Sequence, residues 1–148
     1  MESHEYYMHL ACLEALKASK ENEIPVGAVI VSKTGEILAC AHNQKETLKD
    51  VTAHAEILAI KEASKKINNW RLDGCKIYVT LEPCLMCTSA IFQARIDEIY
   101  VGVLRNLDSE ITLSYFKDFM FENKISFKSG ILHDEIKKVM DESFKKIR

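Results

Sequence analysis

Proline and glycine are scarce. The 148 residues hold 2 Pro and 5 Gly, which leaves little material for linkers or a second domain. A surplus of one charge is also missing. Twenty Lys and Arg stand against 22 Asp and Glu, a formal net of −2, so the bulk basic signature of a nucleic-acid binder is absent, although a local basic face can hide inside a neutral total. No apolar run approaches the roughly 18–20 residues that cross a bilayer, so no membrane partner is expected. The opening residues, Met1-Glu2-Ser3-His4-Glu5, carry no basic stretch before an apolar core, which argues against a secretory signal and for a cytoplasmic chain. With 47% hydrophobic residues, disorder is excluded as well. The length suits one domain, and we expect it to span residues 1–148.

What the chain does hold is cysteine: Cys12, Cys40, Cys75, Cys84 and Cys87. An odd count without a signal points to a reducing compartment, where clustered cysteines bind metal or react more often than they form bridges. Cys12 falls on the apolar stripe Met8, Ala11, Cys12, Ala15 of a first helix over about Ser3–Lys20 and reads as a small core residue. Ser3 is that helix's expected cap. Two strands follow, over Val26–Val31 and Glu36–His42, joined through Lys33-Thr34-Gly35 as a hairpin. The polar stretch Asn43–Thr52 reads as a loop, with Thr52 capping a second helix that begins near His54 and stops at Asn68-Asn69. Then come a strand over Cys75–Leu81, a helix over Pro83–Ala94 and a strand over Ile99–Leu104. A helix over about Leu113–Phe121, a strand over Ile125–Lys128 and a last helix over about Asp134–Ile147 complete the order α-ββ-α-β-α-β-α-β-α. That order predicts a layered α/β domain, with strands three to five parallel through right-handed crossovers and the first pair antiparallel.

Two motifs carry the chemistry: Thr52-Ala53-His54-Ala55-Glu56 and Thr80-Leu81-Glu82-Pro83-Cys84-Leu85-Met86-Cys87. Each is placed where a helix should begin. Cys84 and Cys87 are three apart and share a face on a first turn. A helix N-terminus favours thiolate, the form a metal needs. His54 adds an imidazole, and a thiolate–imidazole set suits zinc with a fourth position left for water. Glu56, two residues on, is placed to move a proton if both side chains reach over the same opening. His-x-Glu followed by Pro-Cys-x-x-Cys is the known signature of zinc-dependent nucleobase deaminases, so the reaction class is recognised rather than deduced. Other readings stay open at this level. Cys84 and Cys87 could form a redox dithiol, or a closed structural zinc could recruit Cys75, Cys40 or His42. Trp70 reads as packing rather than base stacking. The Lys-rich end, Lys137-Lys138 and Lys145-Lys146-Ile147-Arg148, reads as a solvated helix face, with contact to phosphates as the alternative.

Taken with Pro25-Val26-Gly27-Ala28-Val29-Ile30-Val31, Ala41-His42-Asn43 and Trp70-Arg71-Leu72, these motifs resemble the bacterial tRNA-specific adenosine deaminases of the cytidine deaminase-like superfamily. The resemblance is close over roughly Tyr7–Val103 and looser beyond. It implies a three-layer α/β/α cytidine deaminase-like fold, a central five-stranded mixed sheet flanked by helices. It also implies one Zn2+ per subunit on His54, Cys84 and Cys87, Glu56 as the catalytic proton shuttle and Asn43 against the purine ring. The implied activity is conversion of adenosine to inosine at the wobble position of tRNA, with the anticodon stem-loop as partner and a homodimer as working form. An enzyme of the same fold acting on free guanine, cytosine or adenosine is the alternative, and a non-catalytic RNA-binding or structural zinc subunit the third reading. Three stretches depart from the family pattern. Asp50-Val51-Thr52 replaces the usual Asp-Pro-Thr, Arg105-Asn106-Leu107-Asp108-Ser109-Glu110 replaces a Lys- and Gly-containing loop, and Ser143-Phe144 stands where many members have paired aromatics.

Overall fold

The computed structural model describes residues 1–105, 116 and 118–147. Helix α1, His4–Lys20, is capped by Ser3, whose side chain accepts from the Tyr6 amide. Strands β1 (Gly27–Val31) and β2 (Ile37–His42) form the expected antiparallel hairpin. A short helix α2, Lys45–Leu48, occupies the stretch read as loop. Helix α3 (Ala55–Ile67), strand β3 (Lys76–Leu81), helix α4 (Leu85–Gln93) and strand β4 (Glu98–Val103) follow. Strand β5 (Ser126–Lys128) and helix α5 (His133–Ile147) close the chain. The helix expected at Leu113–Phe121 lies largely outside the described residues, with residues 118–122 helical.

The sheet order is β2-β1-β3-β4-β5. β1 is antiparallel to β2 and β3, while β3, β4 and β5 run parallel. This is the mixed five-stranded sheet, with helices on both faces. The two faces follow from the period of two along β1. Ala28 and Ile30 join Ala55, Ala59 and Ala63 of α3, whereas Val29 and Val31 join Tyr7, Met8 and Ala11 of α1. Both sides being covered, all five residues of β1 are buried, which explains why it reads as a continuous apolar run instead of an alternating one.

Gly27 sets how closely α1 approaches. A Cβ there would overlap the Ala11 carbonyl oxygen and stand 2.7 Å from the Ala15 amide nitrogen. The Gly27 amide donates to Thr80 Oγ1 at 3.1 Å, tying β1 to β3 just where the two motifs converge. Among the described residues no helix is long and apolar enough to cross a membrane.

Candidate active site

Both motifs place their key residues at helix starts. His54, extended at φ −77° and ψ 154°, is the N-cap residue of α3, in place of the expected Thr52. Thr52 instead donates from its amide (2.8 Å) and its hydroxyl (2.7 Å) to Asp50 Oδ1. That Asx-type turn pins the segment in which Val51 replaces the family's proline. Cys84, at φ −70° and ψ 174°, is the N-cap of α4 and Cys87 lies on its first turn. The positive ends of two helices therefore face one point.

His54 Nδ1 lies 3.7 Å from Cys84 Sγ and 3.5 Å from Cys87 Sγ. Around a tetrahedral zinc, with Zn–S of about 2.3 Å and Zn–N of about 2.0–2.1 Å, a nitrogen and a sulfur ligand stand about 3.6 Å apart. Both nitrogen–sulfur edges thus match a zinc site, and the donor set is one zinc prefers. Among the described residues these three form the group able to hold a metal. Cys40, Cys75 and His42 are not in it. Cys75 is buried in the core, and His42 is held by Glu14 (3.1 Å) and Glu21 (2.9 Å). With three donors gathered, a fourth position is left open.

With no metal between them, the two thiols share one proton unequally. A hydrogen bond from the Cys87 thiol, together with the amides of Cys87 and Met86, pulls the Cys84 thiol down to about 5 against the opposing effect of burial. The same bond and burial hold the Cys87 proton on, its pKa well above the usual thiol value. Glu56, on the first turn of α3 and 4% exposed, is lifted by burial to about 7. That suits a group that both takes and gives a proton near neutral pH.

A cavity of about 240 Å³ opens over this point. Ile24, Val26 and Leu81 give it apolar walls, and Asn43, His54 and Glu56 face it. Asn43 is 7% exposed. Its Nδ2 donates to the Ile24 carbonyl (3.3 Å) and its Oδ1 accepts from the Lys45 amide (3.1 Å). One N–H and one lone pair remain, a donor–acceptor pair for the edge of a ring. All five residues singled out in the sequence are thus brought to one place.

Three further residues, two lining the cavity and one beside it, belong to neither sequence motif. Glu23, 1% exposed, accepts from the Thr47 amide (2.7 Å), the Thr47 hydroxyl (2.7 Å) and the Glu46 amide (3.1 Å), and so clamps α2 beside Asn43. Burial alone would raise its pKa, but these donors hold it below the usual carboxylate range. Lys45 and Arg105 line the cavity. One expectation changes, and the reading of the Lys-rich end as a solvated helix face holds. Trp70 is 60% exposed, with the Arg71 and Arg95 guanidinium carbons 5.4 Å and 5.9 Å from its ring centroid, so it does not pack in the core. On α5, Lys137, Lys138 and Lys145 share a surface with Asp134, Asp141 and Glu142, a face of mixed sign. Of the departing loop only Arg105 is among the described residues.

The comparisons agree with this geometry. Residues 1–103 match the family model of the cytidine and deoxycytidylate deaminase zinc-binding region. The chain is 40% identical over 146 residues to a tRNA-specific adenosine deaminase of Aquifex aeolicus (strain VF5), covering 97% of this chain and 95% of that one. It is 38% identical over 150 residues to the tRNA-specific adenosine deaminase of Bacillus subtilis (strain 168), covering 100% and 92%. A solved structure from work on A-to-I editing by tRNA:A34 deaminases superposes with a TM-score of 0.80 at 36% identity, over 90% of this chain and 98% of that one. On sequence, fold and donor set together, the chain belongs to the cytidine and deoxycytidylate deaminase family of zinc-binding proteins.

Proposed function

We propose that this chain hydrolyses adenosine to inosine at the wobble position of a tRNA anticodon, with release of ammonia. The observation that carries the reading is the convergence of two helix starts on one small cavity. There a zinc-fitting triangle of His54, Cys84 and Cys87 stands beside a buried, proton-exchanging Glu56. The relatives named tRNA-specific adenosine deaminases, aligned over nearly the whole chain, support the choice of substrate. Zinc at the three-residue site supplies the Lewis acidity that makes water a nucleophile at neutral pH.

The residues of the chain do the rest. Asn43 uses its free N–H and lone pair to hold the purine edge. Ile24, Val26 and Leu81 exclude bulk water from its faces. Water oxygen bonds to C6 of the adenine, and Glu56 carries one of its protons to N1. Glu56 then carries the second to N6, the C6–N6 bond breaks and ammonia leaves. The adenine has to be splayed out of the anticodon loop to reach this depth. The partner is the anticodon stem-loop and the working form a cytoplasmic homodimer. The apolar groove between α3 and α4, lined by Ile60, Trp70, Met86 and Ala90, supports the dimer.

Zinc-loaded protein incubated with a tRNA carrying adenine at the wobble position should form inosine and ammonia. Glu56→Ala should keep one zinc per chain and lose at least roughly 10²-fold in rate. Conversion of free adenosine or guanine with the tRNA untouched would replace this reading with that of a free-base enzyme.

A further inference from the structure

We propose that Asp50 and Thr52 are positioning residues for the zinc-binding histidine: their turn fixes the backbone at His54 before any metal arrives, and zinc affinity depends on it. This rests on the reading of His54 as a zinc ligand. Neither residue belongs to the donor triangle, so the effect passes through the main chain.

The first observation is that His54 has no local anchor of its own. As the N-cap residue of α3 it makes no side-chain cap bond, because its ring is turned to the two sulfurs, with Nδ1 3.5 Å and 3.7 Å from them. A helix start is ordinarily fixed by a Ser, Thr, Asp or Asn side chain bonded to an amide of the first turn. Here that bond is given up to ligation. Among the described residues the other ring nitrogen, Nε2, has no hydrogen-bond partner. The carboxylate or carbonyl that commonly turns a metal-ligating imidazole is therefore not what orients this one. The position of Nδ1 is set by the backbone that leads into it.

The second observation is how closely that backbone is held. Residues 50–53 form a β-turn, the Ala53 amide donating to the Asp50 carbonyl at 3.1 Å. Asp50 Oδ1 accepts from both the amide and the hydroxyl of Thr52, at 2.8 Å and 2.7 Å. The hydroxyl and the amide hold the Asp50 carboxyl below its usual value, as bonds made to its charged form do. Ala53 is fully buried. Its carbonyl accepts from the Gln44 amide (3.0 Å), and the His54 amide donates to the Thr52 carbonyl (2.8 Å). Turn and histidine are thereby joined without a free residue between them.

The third observation is at Val51. It is 69% exposed and occupies the second turn position, where the fixed φ of a proline is the usual stiffener. Its amide makes no hydrogen bond among the described residues. Nothing in the covalent chain stiffens this turn, so the two bonds to Asp50 do.

The test is the zinc affinity of the full chain, measured by competition with a chromophoric chelator. The visible bands of Co2+ bound in zinc's place report the geometry. Asp50→Ala should weaken zinc binding roughly tenfold, the low end of the range for changes outside the ligand set, and shift the Co2+ bands. Asp50→Asn keeps the acceptor oxygen without the charge and should bind zinc as the wild type does. Thr52→Val removes one of the two donors and should fall between. Val51→Pro should restore most of the loss in Asp50→Ala, because the ring presets the turn that the carboxylate no longer holds. Ser3→Ala is the control for stability alone: it removes the cap of α1, should lower Tm, and should leave zinc affinity unchanged.

Asp50→Ala with wild-type zinc affinity would overturn the proposal. An Asp50→Asn variant as weak as Asp50→Ala would do the same, since charge and not hydrogen bonding would be the cause. Equal loss of zinc in Ser3→Ala would reduce the effect to stability and overturn it too. Should Asp50→Ala not fold, Thr52→Val decides: a loss restored by Val51→Pro supports the turn, and no loss overturns it. Unweakened zinc binding by His54→Ala would remove the ligand and the proposal with it. Weakened zinc in Asp50→Ala, with no inosine formed from tRNA by the wild type, would leave the turn standing and remove the proposed reaction.

Discussion

Glu23→Gln separates positioning from chemistry. The carboxylate is almost fully buried and holds three donors of α2, the Thr47 amide and hydroxyl and the Glu46 amide. The glutamine is isosteric but keeps one acceptor oxygen and turns an NH2 toward donors that need acceptors. A hydrogen bond to a charged group contributes about 1.5–3 kcal/mol, so losing all three without relief would be severe. Relief is available, because residues 45–49 are exposed and water can reach their amides. The net loss should then be close to that of a helix cap, about 2 kcal/mol. For a chain of this size that corresponds to roughly 4–8 °C in Tm.

The loss should itself depend on pH. Glu23 is held below its ordinary value, so its contribution is fully present above the unfolded pKa of about 4.3. That contribution fades as pH falls through the lower folded value. Urea titrations of the two proteins should differ most at pH 6–7 and converge toward pH 3. Function should fall too. Asn43 Oδ1 takes its hydrogen bond from Lys45, the first residue of the clamped helix. A loosened α2 therefore displaces Asn43, the side chain proposed to face the purine, costing between roughly tenfold and 100-fold in kcat/KM on RNA, with zinc content unchanged. A stability loss with kcat/KM intact would refute the link from Glu23 to Asn43. An unchanged stability at neutral pH would refute the clamp.

Removing zinc should cost stability as well as activity. With metal at 1,000 times its Kd the linkage amounts to about 4 kcal/mol, so a chelator should lower Tm by roughly 8–16 °C. Cys87→Ala should start low and not respond to the chelator, and an insensitive wild type would contradict a structural stake in the metal. Gly27→Ala forces α1 off β1, because the new Cβ overlaps the Ala11 carbonyl. It should destabilise by about 3 kcal/mol or more, within the range of severe core changes, and a loss below about 1 kcal/mol in urea titration would show that α1 can retreat freely.

The elements with a strong local signal were legible in order and type. Ser3 marked the start of α1, the β-branched run at 26–31 marked β1, and the parallel pairing of β3, β4 and β5 followed from the helices between them. Elements defined by long-range partners were not. α2 is four residues of mixed polarity, held by a carboxylate twenty-odd positions upstream, and nothing in Lys45-Glu46-Thr47-Leu48 announces it. Thr52 looks like a cap by type, yet its hydroxyl is taken by Asp50 and the cap position passes to His54. Trp70 has a core residue's size, but the chain leaves it outside beside two arginines.

For the site itself, sequence alone determined the candidate groups: His54 and Glu56, and Cys84 and Cys87, lie within two short motifs whose residue types suit zinc. Only the tertiary structure decided the geometry. The 3.5 Å and 3.7 Å separations of His54 from the two sulfurs arise from packing α3 and α4 on one side of the sheet. The desolvation of Glu56 arises the same way. Ligand identity is local covalent information, whereas burial, charge balance and the direction a side chain faces are properties of the fold.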